Sequence, residues 1–260
     1  IIFNKNYKYK KGPSGNKNNG LDIISGDYFM FVDDDDIIYI DTIKILVETA
    51  LNKNYDIILG NCLSSNNQIV GVNYNKECAF SYEDILSGKI DGEYTQLVKT
   101  AIIDNIKMNE DCWGAEHLFW WKLYKKVKNI YYINYNLKYY DTNIAINTEK
   151  VTSNMEKYSK RQSLNYYYTI KEFGEDLIKI KESQFLRYLI RGMYFTKLAE
   201  DKEKQIFYKN NIKMIHNKRL IFIGEIWYFT CKIMPKYILV LINKMLYTTI
   251  VPSLKKRISR

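Results

Sequence analysis

An apolar segment that ends in four consecutive aspartates is the strongest constraint on the fold of this chain. Residues 28–32 read YFMFV, and Asp33, Asp34, Asp35 and Asp36 follow without a break. Aromatic and β-branched residues in a run of this length predict a buried strand, as in a parallel sheet. Ligands bind at the carboxyl ends of such strands, so we expect the aspartates at the edge of a ligand site.

The four aspartates are candidate metal ligands. Adjacent carboxylates repel one another, and a bound cation offsets that repulsion. Their hard oxygens suit Mg²⁺, Mn²⁺ or Ca²⁺. Because side chains alternate along an extended chain, Asp33 and Asp35 are predicted to face the same way and share the ion. The alternative is a solvated acidic turn before the next helix, for which Asp41 is the expected N-cap.

The segments after the aspartates predict an α/β arrangement. Residues 43–50 carry apolar side chains at helical spacing, and residues 55–59 have the composition of another strand. A strand, a helix and a strand in this order form a right-handed crossover unit. This half of the chain is therefore expected to contain a sheet flanked by helices.

The rest of the chain divides into a mixed part and a helical part. Residues 1–20 are polar and rich in Gly and Asn, which predicts a loop after a short apolar start. A helix is expected over residues 113–126 and strands over 129–140. Helical spacing dominates from about residue 149, so we predict one α/β domain over 1–148 and a helical, basic region over 149–260.

The stretch that contains the aspartates resembles the family 2 glycosyltransferases, which have the GT-A fold. Their pattern runs from a Gly-rich loop through a helix and a Gly-(Asp/Glu)-Tyr turn to a strand that ends in Asp-x-Asp-Asp. The matching residues are Gly12, Pro13, Ser14, Lys17, Asn18, Gly20, Gly26, Asp27, Tyr28, Asp33, Asp35 and Asp36. Lys17 stands where the family usually has Arg, and it keeps the charge without the planar guanidinium.

A second resemblance lies in the segment that supplies the family's catalytic base. There a Gly-x-Glu-Asp-like motif opens a helix, and Gly114, Glu116, Trp120 and Leu123 match that layout. The family's Glu-Asp pair is Glu116-His117 here, so the resemblance implies either Glu116 or His117 as the base. Together the two segments place the resemblance over roughly residues 1–147.

The resemblance also implies what is missing from the fold. The family begins with a strand, a helix and a second strand that bind the nucleotide, and no residues precede Ile1. We therefore expect an N-terminally truncated fragment: a GT-A-like sheet flanked by helices, without its first strands, followed by a mostly helical region.

The implied activity is that of a metal-dependent, inverting glycosyltransferase of the hexosyltransferase kind. It moves a sugar from a nucleotide-diphosphate donor to a hydroxyl acceptor, which is a glycan or a lipid-linked sugar in polysaccharide synthesis. Mn²⁺ or Mg²⁺ on Asp33 and Asp35 would neutralise the leaving diphosphate. The implied donor-binding residues are Lys17, Asn18, Asp33, Asp34 and Asp36. Trp113 and Glu93 are the candidate acceptor contacts.

The charge of the chain favours an anionic partner. Its 39 Lys and Arg against 29 Asp and Glu give a net charge of +10. No acidic residue follows Glu225, and basic side chains alternate there with apolar ones, which predicts contact with an anionic membrane surface. Packing as ordinary core is the alternative, favoured for residues 219–234, whereas membrane contact is favoured for 236–260. No apolar run is long enough for a transmembrane helix.

Two other functional classes compete with glycosyl transfer. A nucleotidyltransferase also combines a metal, a diphosphate and an α/β sheet. A non-enzymatic basic module could bind membrane or nucleic acid, but charge alone explains neither the four aspartates nor the GAEH segment, so nucleic acid is not an expected partner.

The four cysteines form no CxxC pair, which argues against a zinc ribbon or a dithiol redox site. We expect a cytoplasmic protein, peripheral on the inner face of the membrane.

Overall fold

The computed structural model describes residues 2–112, 114–127, 129–140 and 158–245. The chain separates into two units, Ile1–Asn154 and Met155–Arg260. The boundary predicted between residues 148 and 149 lies outside the described residues.

A mixed six-stranded sheet forms the centre of the first unit, with strand order β1-β5-β3-β6-β2 and β4 on β6. Its strands are β1 (Tyr28–Phe29), β2 (Asp36–Ile38), β3 (Ile57–Ser64), β4 (Cys78–Ser81), β5 (Tyr94–Lys99) and β6 (Asn129–Tyr140). Only β3 and β6 are parallel neighbours; the other pairs are antiparallel. The long β6 pairs with β4 through its first residues and with β2 through its last.

Four helices and one 3₁₀ turn accompany the sheet in the described part of the first unit. They are α1 (Pro13–Leu21), α2 (Thr42–Lys53), α3 (Tyr82–Leu86), the 3₁₀ turn Thr100–Ile102 and α4 (His117–Val127). The predicted apolar spacing produces α2, whose Leu46 and Ala50 are buried against Ile58, Leu97 and Leu137 of the sheet. Asp41 is the N-cap residue of α2, but its side chain accepts no capping hydrogen bond.

Three expectations about this unit are wrong. Residues 1–20 are not all loop, because Pro13, whose fixed φ suits the start of a helix, begins α1. The strand expected over 28–32 ends at Phe29, and the aspartates then turn, since the Asp36 N–H donates to the Asp33 carbonyl at 3.1 Å. The sheet is mixed rather than parallel, because β5 lies between β1 and β3 and runs antiparallel to both.

The described part of the second unit is helical, as predicted. Its helices are α5 (Ser159–Ala199), α6 (Lys202–Ile212), α7 (Lys218–Ile233) and α8 (Lys236–Met245). The helical backbone of α5 is interrupted at Lys181. Gly192 allows α5 and α6 to pack closely, because a Cβ at this position would lie 2.2 Å from the Tyr208 ring. Among the helices that the structure describes, none is long and apolar enough to cross a membrane.

Candidate active site

A cleft in the first unit collects side chains from distant parts of the sequence. It is lined by Lys17, Phe31, Asp33, Asp36, Glu93, Tyr94, Gln96, Gly114, Glu116, Trp120 and Lys138. These residues come from α1, the segment around β1 and β2, the start of β5, the start of α4 and the end of β6. The cleft therefore brings together five of the residues predicted from sequence: Lys17, Asp33, Asp36, Glu93 and Glu116.

Lys17 and Asp33 form an ion pair at the edge of the cleft. Lys17 Nζ lies 2.9 Å from Asp33 Oδ1 and 5.6 Å from the centre of the Phe31 ring. The Lys17 side chain is 17% exposed and that of Asp33 is 52% exposed. Packing against Phe31 and Asp33 thus holds the ammonium group of Lys17 at the cleft wall, where an incoming anion can compete for it.

The turn through the aspartates separates their side chains. Asp34 and Asp35 occupy the corners of the turn, are exposed, and are not among the lining residues. The alternation expected for an extended chain is therefore absent, and it is Asp36 that accompanies Asp33 in the cleft. The metal-binding role assigned to Asp35 stays a prediction.

Asp36 and Lys138 form a buried ion pair in the cleft. Lys138 Nζ lies 2.6 Å from Asp36 Oδ2, and the two side chains are 11% and 3% exposed. Desolvation lowers the pKa of Lys138, but the hydrogen bond to Asp36 and the neighbouring acidic groups outweigh it and raise that pKa above its ordinary value. The other carboxylate oxygen, Asp36 Oδ1, is buried and has no hydrogen-bond partner among the described residues.

The donor set of the cleft fits a divalent cation that is completed by substrate. Four carboxylates face only two lysines among the lining residues, so the cleft carries excess negative charge. The described residues contain no group of three or more His, Cys, Asp or Glu that could hold a metal ion by itself. Mg²⁺, however, is commonly held by one or two carboxylates together with substrate phosphates. Asp33 and the unpartnered Asp36 Oδ1 suit that arrangement.

Glu93 is positioned by a close approach of two loops. Gly92 has a φ of +132°, and a Cβ there would lie 2.2 Å from Gly71 Cα, so glycine is required at this position. The Glu93 N–H donates to the Val70 carbonyl at 2.8 Å. Desolvation in the cleft raises the pKa of Glu93; Lys138 opposes this effect, and Glu116 and Asp36 reinforce it. Glu93 therefore holds its proton more tightly than an ordinary glutamate.

Glu116 and His117 differ in their access to the cleft. Gly114 adopts a φ of +71°, and Glu116 directly precedes α4, where its carbonyl accepts from the Phe119 and Trp120 amides. Glu116 lines the cleft, whereas His117 is not among the lining residues and packs against Trp121 with a ring separation of 5.0 Å. Burial lowers the pKa of His117 to about 4. Of the two candidate bases, the cleft therefore contains Glu116.

Asn18, a predicted donor contact, is not among the residues that line the cleft. Asn18 is buried, and its amide both donates to the Met108 carbonyl at 3.0 Å and accepts from the Met108 N–H at 2.8 Å. These bonds tie α1 to the segment before α4, and the donor contact assigned to Asn18 stays a prediction. Trp113, the candidate acceptor contact, lies outside the described residues.

Sequence reasoning missed Lys138 and an aromatic wall. Phe31 and Trp120 both line the cleft and lie 5.9 Å apart in an edge-to-face arrangement. Trp120 belongs to the predicted motif at the start of α4, but its helical spacing favours packing in the core over stacking on a sugar. The sequence around Lys138 does not indicate a site residue. Its partner Asp36 is 102 residues away, and the pairing of β2 with β6 brings the two together.

Comparison with known proteins finds a matching family model and a related enzyme. A family model described as "Glycosyl transferase family 2" matches residues 5–152. A Campylobacter jejuni protein, named GalNAc(5)-diNAcBac-PP-undecaprenol beta-1,3-glucosyltransferase, is 31% identical over 210 residues, which are 77% of this chain and 66% of that protein. The chain thus spans just under two thirds of that relative's length.

Solved structures of S. aureus TarS share the fold. TarS 1-349 in complex with UDP-GlcNAc gives a TM-score of 0.57 at 17% identity, covering 85% of this chain and 69% of that one. A second TarS structure gives 0.52 at 16% identity, covering 85% of this chain and 41% of that one. These likenesses confirm the expected α/β, GT-A-like fold with a helical C-terminal region.

Proposed function

This chain belongs to glycosyl transferase family 2, and we propose that it transfers a sugar from a nucleotide-diphosphate donor to a hydroxyl acceptor. The observation that supports this most is the convergence of Lys17, Asp33, Asp36 and Glu116 on one cleft. Binding through net charge alone does not require these side chains to converge on one cleft. Family membership also favours this activity over nucleotidyl transfer.

The donor diphosphate would lie at the side of the cleft that contains Asp33 and Asp36. A Mn²⁺ or Mg²⁺ ion held there by these carboxylates would stabilise the negative charge of the leaving diphosphate. Lys17 would also contact the diphosphate, because its ammonium group lies at the cleft wall beside Asp33. Lys138 neutralises one oxygen of Asp36 and leaves the other for the ion.

Glu116 is the proposed general base. The acceptor hydroxyl oxygen attacks the anomeric carbon, the bond from that carbon to the diphosphate breaks, and the hydroxyl proton passes to the Glu116 carboxylate. The nucleoside diphosphate leaves with the bonding electron pair. A single displacement of this kind inverts the anomeric configuration, in keeping with the resemblance noted in the sequence.

Glu93 and the aromatic wall are the proposed contacts to sugar. Glu93 lines the cleft beside Glu116 and Lys138, where its carboxyl group can hydrogen-bond to a sugar hydroxyl. Phe31 and Trp120 present apolar ring surface on which a sugar can stack. The acceptor that we propose is a lipid-linked sugar, because the name of the C. jejuni relative specifies an acceptor on undecaprenyl diphosphate.

The test is a transfer assay with a panel of UDP- and GDP-sugars and an undecaprenyl-diphosphate-linked oligosaccharide. We expect release of nucleoside diphosphate with one of these donors, and loss of release after chelation of divalent ions. Mn²⁺ binding, measured by electron paramagnetic resonance in the presence of UDP, should weaken at least tenfold in Asp33→Asn and Asp36→Asn. Asp41→Asn, at the start of α2 and outside the lining residues, is the matched control and should bind normally.

Each part of this proposal can fail separately. Absence of transfer with every donor would reject the activity. Full activity in chelator would reject the metal. A severe Mn²⁺-binding defect in Asp35→Asn together with normal binding in Asp36→Asn would restore the pairing of Asp33 with Asp35 that the sequence favoured.

A further inference from the structure

The second unit presents an apolar stripe to solvent along α7. Phe222, Ile226, Phe229 and Ile233 are 67%, 50%, 59% and 57% exposed. They recur at intervals of four, three and four residues, and each helical residue advances by about 100°, so all four lie on one face. A face of this kind is normally buried, and a contiguous exposed one marks an interaction site.

The stripe does not face the core of its own unit. The buried residues of α7 are Gly224 and Cys231, which are seven residues apart and lie on the side of the helix opposite to the stripe. Gly224 faces Leu186 of α5 and Ile212 of α6, and Trp227 Nε1 donates to the Ile190 carbonyl at 3.0 Å. Packing as ordinary core, the expectation for residues 219–234, therefore holds for one face of α7 only.

The helix α8 also presents apolar side chains to solvent. Tyr237 and Leu241 are 67% and 58% exposed and lie four residues apart, on one face of the helix. Leu239, between them in sequence, is fully buried. Both helices thus keep one side against the unit and present apolar side chains on another.

A lysine-rich groove borders the stripe. It is lined by Lys197, Glu200, Lys202, Gln205, Ile206, Tyr228, Lys232, Pro235 and Lys236. Four lysines therefore surround a single acid, and that acid is paired with Lys236 at 2.6 Å. Tyr228 and Lys232 lie on α7 itself, between its buried face and the stripe. The groove offers excess positive charge next to exposed apolar surface.

We propose that this surface docks on an anionic lipid bilayer, with the stripe of α7 in the acyl boundary and the groove lysines at lipid phosphates. Aromatic and aliphatic side chains beside basic ones are the composition of helices that lie in a membrane interface. A second copy of the chain is the less suitable partner, because a symmetric contact through the same patch would bring two lysine-rich grooves together.

The test is flotation of the full chain with vesicles of phosphatidylcholine alone or with about 30% phosphatidylglycerol. Intact protein should bind the anionic vesicles at least tenfold more strongly. Phe222→Ser/Phe229→Ser and Lys202→Glu/Lys232→Glu should each lose at least tenfold in binding. Because the four side chains lie on the surface, circular dichroism of both double variants should show the helix content of the wild type. If a double variant does not fold, the single variants Phe229→Ser and Lys202→Glu replace it.

Matched controls separate this surface from bulk properties of the chain. Ile43→Ser/Leu51→Ser removes two exposed apolar side chains from α2, and Lys44→Glu/Lys76→Glu makes the same change in net charge on the first unit. Both controls should bind like wild type. Equal losses in test and control variants, failure of intact protein to bind anionic vesicles, or Phe229-dependent dimerisation without lipid binding would overturn the proposal. No donor or acceptor is present, so the result is independent of the transferase activity.

Discussion

The buried pair between Asp36 and Lys138 makes the stability of the first unit sensitive to a single substitution, Lys138→Met. Methionine preserves much of the side-chain volume but leaves the Asp36 carboxylate, whose side chain is only 3% exposed, without its countercharge. Removing one partner of a buried ion pair costs about 3–5 kcal/mol of unfolding free energy. Because domains of this size are stable by about 5–15 kcal/mol, a large part of the stability would be lost.

The exposed pair between Lys99 and Asp56 provides the matched control. Its atoms are 3.3 Å apart and its side chains are 45% and 41% exposed, so solvent screens the interaction. Loss of such a pair in Lys99→Met should change the unfolding free energy by about 0–1 kcal/mol. The two substitutions are chemically identical, and the difference between them isolates the effect of burial.

Urea unfolding followed by tryptophan fluorescence measures both changes. Of the four tryptophans, only Trp227 belongs to the second unit, so a Trp227→Phe background makes the signal a reporter of the first. We expect Lys138→Met to lower the unfolding free energy by at least about 3 kcal/mol. A loss below about 1 kcal/mol, equal to that of Lys99→Met, would refute the argument that Asp36 is charged, buried and dependent on Lys138.

Three further predictions concern the framework of the cleft. Asn18→Ala leaves the Met108 N–H and carbonyl unpaired and should lower the unfolding free energy of the first unit by about 1–3 kcal/mol in urea, whereas no change would show that water replaces the amide. Gly92→Ala should impair folding of the first unit, measured by its thermal midpoint, because the new Cβ meets Gly71; a wild-type midpoint would show that the loops can separate. The raised pKa of Lys138 stabilises the fold fully below its unfolded value of about 10.4, and this contribution is lost as the pH rises through the folded value. Urea titrations between pH 9 and 11 should therefore show a steeper loss of stability for wild type than for Lys138→Met, and parallel curves would contradict the shift.

The parts of the fold that sequence could predict are those determined by local pattern. The apolar spacing of residues 43–50 predicts α2, and the same side chains, Leu46 and Ala50, bury it on the sheet. The helix expected over residues 113–126 is present as α4, but α4 begins only at His117, after Gly114 with its positive φ. These interactions connect residues that are close in sequence.

The remaining features depend on contacts between residues that are far apart. Four aspartates in a row do not reveal where an extended chain turns, and the turn decides that Asp36 rather than Asp35 faces the cleft. The partner of Asp36 is supplied by the antiparallel pairing of β2 with β6, which brings in Lys138. The order of the strands, with β5 between β1 and β3, likewise follows from packing of the whole unit.

The most direct test of the proposed transferase cleft is the turnover number of Glu116→Gln at saturating donor and acceptor. Glutamine keeps the shape of the side chain but cannot accept the acceptor proton, and a positioned base contributes about 10²–10⁴-fold to a rate. Glu110→Gln, outside the lining residues, is the control. We predict a fall in kcat of at least about 100-fold with the donor Kd unchanged. A kcat close to wild type, or a severe defect in His117→Asn with a mild one in Glu116→Gln, would contradict the assignment of the base.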